Sequence, residues 1–368
     1  MRILIAPDKF KGSLTAFEAA EAIELGWKEA MPGASFDRAS LADGGEGTVD
    51  VFFSCEGAER KRAEVRDALG RALSAEYVWI PGERLVVIEM SAASGLGKIP
   101  ESERDILQST TFGTGQLILD AMALRPSTIA VGLGGSATND AGAGLASALG
   151  WRFQDRFGLA VEPTPWSLCD IAGIVPPAAQ APAKILALSD VKNPLLGPRG
   201  CTRVYGPQKG ATDEEVGLLE SRLEHFADVC ERAFGTSQRD TPGAGAAGGT
   251  GFGLLTFCGA EIVPGFDWIA ERLGLEARVA ACDLVVTGEG SIDAQTLEGK
   301  GPGALAALAK KHGKPCIAFA GRAENAAAEI FFRCVSIGDP AIGLAENLAR
   351  GAQSLRAAAS RTAHLFLS

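Results

Sequence analysis

Short apolar runs recur along the chain, each broken by glycines or small polar residues before apolar positions return at helical spacing. Compact apolar runs bounded by turn residues read as buried strands, and a 3.6-residue period reads as an amphipathic helix. The first run, 2–6, predicts a strand. Ser13-Leu-Thr-Ala-Phe-Glu18 then offers Ser13 or Thr15 as N-cap, and Ala19, Ala20, Ile23 and Trp27 recur as a helix requires. A second strand is expected over 34–41. From 59 to 90 the pattern changes to alternation, with turns at 69–71 and 81–83 short enough for antiparallel hairpins. A helix over 115–124 precedes a strand at 128–131. A Pro/Ala-rich connection over 176–182 leads to a strand at 184–188, and a charged helix spans 213–234. Plain alternation returns with strands at 284–287, 315–320 and 334–337 and a helix over 303–311.

Strands alternating with helices predict an α/β fold on parallel sheet. The chain's 368 residues exceed a comfortable single core. Its first 55 residues also resemble the last third more than the middle. The expected organisation is a discontinuous Rossmann-like parallel-sheet domain from 1–55 and 275–368, with an inserted α/β domain carrying a mixed sheet over 56–274.

Composition narrows the function classes. Hydrophobic residues make up 46% and charged residues 22%, ordinary for a soluble globular protein. The 35 Lys and Arg against 45 Asp and Glu give a net charge of −10, which disfavours nucleic acid as partner because that affinity rests on phosphate neutralisation. No run reaches the roughly 18 apolar residues of a spanning helix. The N-terminal apolar run is too short for a signal peptide, and no membrane partner is expected. The 8 cysteines are scattered without a Cys-x-x-Cys pair, as expected of reduced thiols in the cytoplasm. With only 3 histidines, a His-dependent hydrolase is disfavoured and proton chemistry falls to carboxylates or lysines. Oligomeric state is not legible.

Several loops share one grammar, a strand followed by glycines carrying carboxylates, amides and lysines. Ligands of open α/β sheets bind beyond the carboxyl ends of strands, which directs attention there. Asp8, Lys9 and Lys11 lie between a strand and a helix start, where an anion is also favoured by backbone N–H groups. Asp43 and Glu46, among three glycines, can bind hydroxyls or a hydrated metal, or can simply cap a tight turn. Asp190 follows an apolar strand and is either a magnesium or hydroxyl partner or the start of an Asx-turn; Asn193 shares its loop. Lys209 is a candidate phosphate partner. Glu289 and Asp293 fall on an expected strand-to-helix turn with Gln295, Thr296 and Lys300, where a helix cap is the ordinary alternative. The loop 131–142 follows a strand and precedes an alanine-rich helix, with Gly134, Gly135, Ser136, Thr138, Asn139 and Asp140 supplying donors and a cap.

Named phosphate motifs mostly fail. Gly299-Lys300-Gly301 lacks the hydroxyl residue and upstream glycine of a P-loop. Gly243-x-Gly245-x-x-Gly248 matches the dinucleotide spacing, but no strand precedes it, so NAD binding is not supported. Residue types alone indicate an α/β enzyme acting on a small anion, with a small-anion-binding regulator and a dehydrogenase as alternatives.

The ordered set is more specific. Pro7-Asp-Lys-Phe-Lys-Gly-Ser13, Ala42-Asp-Gly-Gly-Glu-Gly-Thr48, Gly134-Gly-Ser-Ala-Thr-Asn-Asp-Ala-Gly142, Ser189-Asp-Val-Lys-Asn-Pro-Leu195, Tyr205-Gly-Pro-Gln-Lys-Gly-Ala211 and Thr287-Gly-Glu-Gly-Ser-Ile-Asp293 together resemble the type I glycerate kinases of bacteria. Ser291, Ala141 and Cys201 depart from that pattern. The last 45 or so residues carry no matching motif. The resemblance implies ATP-dependent phosphorylation of D-glycerate on the 2-hydroxyl, with the 3-hydroxyl as alternative, using Mg²⁺. It further implies two α/β domains with the site in the cleft between them. On the matching positions, Asp190, Lys9, Asp8 and Asp293 are assigned to catalysis, and Lys11, Asp43, Glu46 and Asn193 to substrate. Gly134, Gly135, Ser136, Thr138, Asn139, Asp140 and Lys209 are assigned to the nucleotide, and Asp190 with Glu289 to the metal.

Overall fold

The computed structural model describes every residue except 179–182, 294–295, 297–300, 325–327 and 367–368. Gln295, Lys300 and part of the 176–182 connection therefore lie outside the described residues. The chain divides into two compact units, Met1–Asp43 with Phe266–Ser368, and Gly44–Gly265. These junctions differ from the expected 55/56 and 274/275. Helix Thr48–Phe53 belongs to the second unit because the Glu89 carboxylate accepts its Val49 N–H at 2.6 Å. Phe266, on helix Gly265–Arg272, joins the core of the first unit.

In the first unit, five parallel strands lie in the order Arg333–Ser336, Cys316–Ala323, Leu284–Ile292, Arg2–Ile5, Ser35–Arg38. Their apolar residues face two cores. One buries Ile3, Ile5 and Phe319 against Ala19, Ile23 and Trp27 of helix Ala16–Ala30 and Leu355 and Ala359 of helix Gly351–His364. The unmatched C-terminal stretch thus covers one sheet face, and each fully buried large side chain there contributes on the order of 2 kcal/mol. The other core packs Leu4, Val285 and Ala318 against Val279 and Leu305. Thr15, rather than Ser13, caps the first helix in a reciprocal box with Glu18, while Ser13 Oγ donates to Leu348 O at 2.6 Å.

The second unit holds a six-stranded mixed sheet. Glu261–Val263, Lys184–Leu188, Thr128–Gly132 and Leu85–Glu89 run parallel, and Ala72–Ile80 and Glu59–Arg66 add as antiparallel hairpins, as the alternating pattern predicts. A small three-stranded antiparallel sheet and an aromatic core of Trp151, Phe153, Phe226 and Phe257 complete it. No helix among the described residues is long and apolar enough to cross a membrane. All 8 cysteines are free thiols.

Candidate active site

In the first unit, the carboxyl ends of three neighbouring parallel strands bring acidic side chains together. Asp8 follows Arg2–Ile5, Asp43 follows Ser35–Arg38, and Glu289 lies in Leu284–Ile292. The Gly-Glu-Gly segment continues that strand instead of turning, because Glu289 pairs with Ala320 and Ser291 with Arg322. The Asp8 N–H donates to Gly288 O at 2.8 Å, and Asp8 Oδ1 accepts the N–H of Lys9 at 2.6 Å. Burial, opposed by Lys9 and reinforced by Asp43, pushes the Asp8 carboxyl up to about 6. Burial also pushes Glu289 up to about 7, with Asp8, Asp293 and Asp43 adding repulsion and the Thr296 hydroxyl, 2.7 Å from Oε1, opposing it. These acids therefore lie within electrostatic reach of one another, and the half-buried Lys9 and exposed Lys11 lie on the same loop.

Such a set favours a cation. No group of three metal-binding side chains is present among the described residues. Mg²⁺, however, is commonly held by one or two carboxylates completed by phosphate oxygens and water, and Asp8 and Glu289 fit that requirement.

In the second unit, three glycine-bearing segments meet. A Cβ added at Gly134 would lie 2.5 Å from Gly45 Cα, and one at Gly248 would lie 1.9 Å from Thr138 O. Larger residues cannot occupy these positions without moving backbone. The 242–253 run, a nominal dinucleotide match, is thus the packing partner of the 134–142 loop; Ala247, Gly248 and Gly249 adopt left-handed backbone inside helix Ala246–Cys258.

The side chains of that loop are committed to the interior. Lys209 is 3% exposed, and its Nζ donates to Ser136 Oγ at 2.8 Å and Thr138 O at 2.7 Å; burial pushes its ammonium down to about 8. Asn139 donates to Thr202 Oγ1 at 3.0 Å. The Asp140 carboxylate accepts from Thr111 N–H (2.8 Å), Thr111 Oγ1 (2.8 Å), Gly142 N–H (3.1 Å) and Gly144 N–H (3.1 Å). Burial pushes that carboxyl up while these bonds pull it down. All four partners donate, so the loop is built for the ionised form. Gly135 is exposed and Gly134 half-buried, above this scaffold. Asp190 is half-buried just after strand Lys184–Leu188. Asn193 in the same loop donates to Arg199 O at 2.7 Å and accepts from Tyr205 at 2.9 Å, so its amide fixes the loop.

A family model described as the glycerate kinase family matches residues 3–367. The chain belongs to the glycerate kinase family. A glycerate kinase of Bacillus subtilis (strain 168) is 44% identical over 324 residues, covering 87% of this chain and 85% of that one. A glycerate 2-kinase of Escherichia coli (strain K12) is 43% identical over 327 residues, covering 87% of this chain and 85% of the relative. A solved structure described as a glycerate kinase 2 from Salmonella typhimurium LT2 is similar with TM-score 0.85 and 39% identity, covering 100% of this chain and 98% of that chain.

Within this glycerate kinase fold, sequence reasoning missed Glu89, Ser91, Thr111 and Thr202. Glu89 is 7% exposed at the end of strand Leu85–Glu89 and lines a cavity of 320 Å³ with Glu46, Ser91 and Lys98. A carboxylate closing the apolar run Leu-Val-Val-Ile-Glu89 was the available signal. Thr111 and Thr202 matter here as partners of Asp140 and Asn139, and nothing in their own sequence neighbourhoods marks them.

Proposed function

We propose that this chain transfers the γ-phosphoryl group of ATP to D-glycerate at the 2-hydroxyl, giving 2-phosphoglycerate and ADP. Membership of the family, and similarity to a relative named glycerate 2-kinase, support the reading. The structural observation that carries it is the convergence of Asp8, Asp43 and Glu289 at neighbouring strand ends, with Lys9 and Lys11 alongside. Phosphoryl transfer depends mainly on positioning and charge stabilisation, and this is the residue chemistry it needs.

Asp8 and Glu289 would hold Mg²⁺, which when bound neutralises charge on the phosphate oxygens. Lys9 and Lys11 draw phosphoryl or carboxylate oxygens towards the same strand ends, and Asp43 and Asp293 orient hydroxyls. Asp190 accepts the proton of the attacking hydroxyl. The exposed backbone at Gly134 and Gly135 cradles nucleotide phosphate, while Ser136, Thr138, Asn139, Asp140 and Lys209 hold that backbone in shape. Glu46 and Asn193 serve the substrate, Asn193 by fixing the Asp190 loop. The scattered free thiols and acidic balance fit a cytoplasmic enzyme of small molecules, without nucleic acid or membrane as partner.

Coupled ADP release is the test. The reading expects release that requires both glycerate and Mg²⁺; glycerate binding without ADP release would make the chain a small-anion-binding regulator. Asp190→Asn should lower kcat by about 10²-fold or more, the range of general-base catalysis. Near-normal turnover would remove Asp190 from that role.

A further inference from the structure

Arg322 is a cation at the acidic strand ends of the first unit that none of these roles uses. Strands Leu284–Ile292 and Cys316–Ala323 run parallel with Ser291 opposite Arg322. Arg322 Nε donates to Ser291 Oγ at 3.1 Å, and the Ser291 hydroxyl lies 3.2 Å from Asp293 Oδ2. A guanidinium can only donate, so the serine accepts from arginine and turns its own proton to the carboxylate. A second branch runs from the Asp293 N–H to Thr296 Oγ1 at 3.3 Å, and from that hydroxyl to Glu289 Oε1 at 2.7 Å. Arg322 is therefore tethered to Asp293 by a single hydroxyl, and through Asp293 and Thr296 its network reaches Glu289.

The tether uses only Nε. Arg322 is exposed, and its terminal amino groups have no hydrogen-bond or ion-pair partner among the described residues. A planar fork with free donors suits bidentate recognition of a carboxylate or phosphate, and an anchored side chain loses less freedom on binding. The location supplies the need. An anionic reactant entering beside Asp8, Asp43, Glu289 and Asp293 meets repulsion that nearby cations must offset, and ligands of such sheets bind at these strand ends.

We propose that Arg322 is an oxyanion-binding residue of the reaction, anchored by Ser291 beside Asp293 and presenting its terminal amino groups to a phosphoryl or carboxylate oxygen of a bound reactant. This rests on the kinase reading above.

The test is steady-state kinetics of Arg322→Ala, Arg322→Lys and Ser291→Ala with D-glycerate and ATP varied in turn. Calorimetric titration of ADP and of D-glycerate, which needs no turnover, and thermal melts accompany it. Arg322→Ala should raise the KM of one reactant about tenfold with a smaller change in kcat, as loss of a charge-assisted hydrogen bond does. Arg322→Lys should recover part of that loss, Ser291→Ala should move the same KM less, and Tm should stay within about 2 °C. A rise for ATP, with weaker ADP binding, assigns the phosphoryl oxygen; a rise for glycerate assigns the carboxylate. The proposal is overturned if both KM values, kcat and both calorimetric affinities of Arg322→Ala stay within about twofold of wild type. It is also overturned if kcat alone falls and lysine does not restore it. Wild type without glycerate-dependent ADP release defeats the kinase reading itself, whereas active wild type with an indifferent Arg322→Ala defeats this proposal alone.

Discussion

Replacing Lys209 with methionine tests whether an ammonium is buried beneath the glycine loop. Lys209 is 3% exposed, and burial lowers its pKa from 10.5 to about 8. A group whose folded pKa lies below its unfolded value binds fewer protons in the folded state between those values. Stability must therefore rise with pH through that window. With these two pKa values, the buried charge costs about 3 kcal/mol at pH 7 and about 1 kcal/mol at pH 10, so the wild type gains about 2 kcal/mol from this residue. Lys209→Met keeps the volume and removes the titration, but leaves Ser136 Oγ and Thr138 O without their donor, about 1–3 kcal/mol each. At pH 7 the losses and the relieved desolvation nearly cancel, and the variant should lie within about 2 kcal/mol of wild type. At pH 10 wild type should pull ahead by about 2 kcal/mol more. Urea unfolding of both proteins at pH 7 and pH 10 gives the double difference, in which titrating groups without a charge interaction with Lys209 cancel. A double difference below about 0.5 kcal/mol would refute the buried, charged lysine.

Other positions make separate demands. Asp140→Ala strands three backbone N–H groups and the Thr111 hydroxyl, and should cost about 3–5 kcal/mol, read as a fall in Tm of roughly 10 °C; a fall below about 2 °C would contradict the four-donor arrangement. Ala141 holds a left-handed backbone at φ 52°, so Ala141→Gly should be neutral or stabilising by up to about 1 kcal/mol, and clear destabilisation in urea would show that its methyl matters more than its strain. Glu289→Gln should raise Tm by roughly 2–5 °C at pH 8 and leave it unchanged at pH 4. The sign follows from a folded pKa raised to about 7, whose stabilisation is full below the unfolded value and lost as pH rises through the folded one. In wild type, Mg²⁺ affinity measured by calorimetry should weaken as pH falls from 8 to 6, while Glu289→Gln should flatten that dependence; parallel curves would take Glu289 out of the metal site.

Much of the fold is legible locally because periodicity is a local property. Strand Lys184–Leu188 and helix Asp213–Phe234 coincide with their apolar and amphipathic patterns, and the alternating 59–90 segment forms the antiparallel hairpins that its short turns require. What escapes is settled by partners distant in sequence. The 242–253 glycines follow no strand, and their purpose appears only where Gly248 meets Thr138 O. Gly-Glu-Gly-Ser at 288–291 has turn composition yet extends a strand, because Ala320 and Arg322 of the neighbouring strand pair with it. Lys209, Asn139 and Asp140 have the residue types of a phosphate loop, and only their buried partners reveal a scaffold. The junction at Asp43/Gly44 splits one motif between two units, which no shift in composition announces.

The central claim, phosphorylation of the 2-hydroxyl, meets its most direct test in proton-coupled phosphorus NMR of the product made from ATP, Mg²⁺ and D-glycerate. Phosphate on the secondary 2-oxygen has one proton three bonds away and must give a doublet; phosphate on the primary 3-oxygen has two and gives a triplet. The account predicts a doublet that grows in step with ADP. A triplet, or ADP that accumulates without a new phosphate-ester signal, would contradict it.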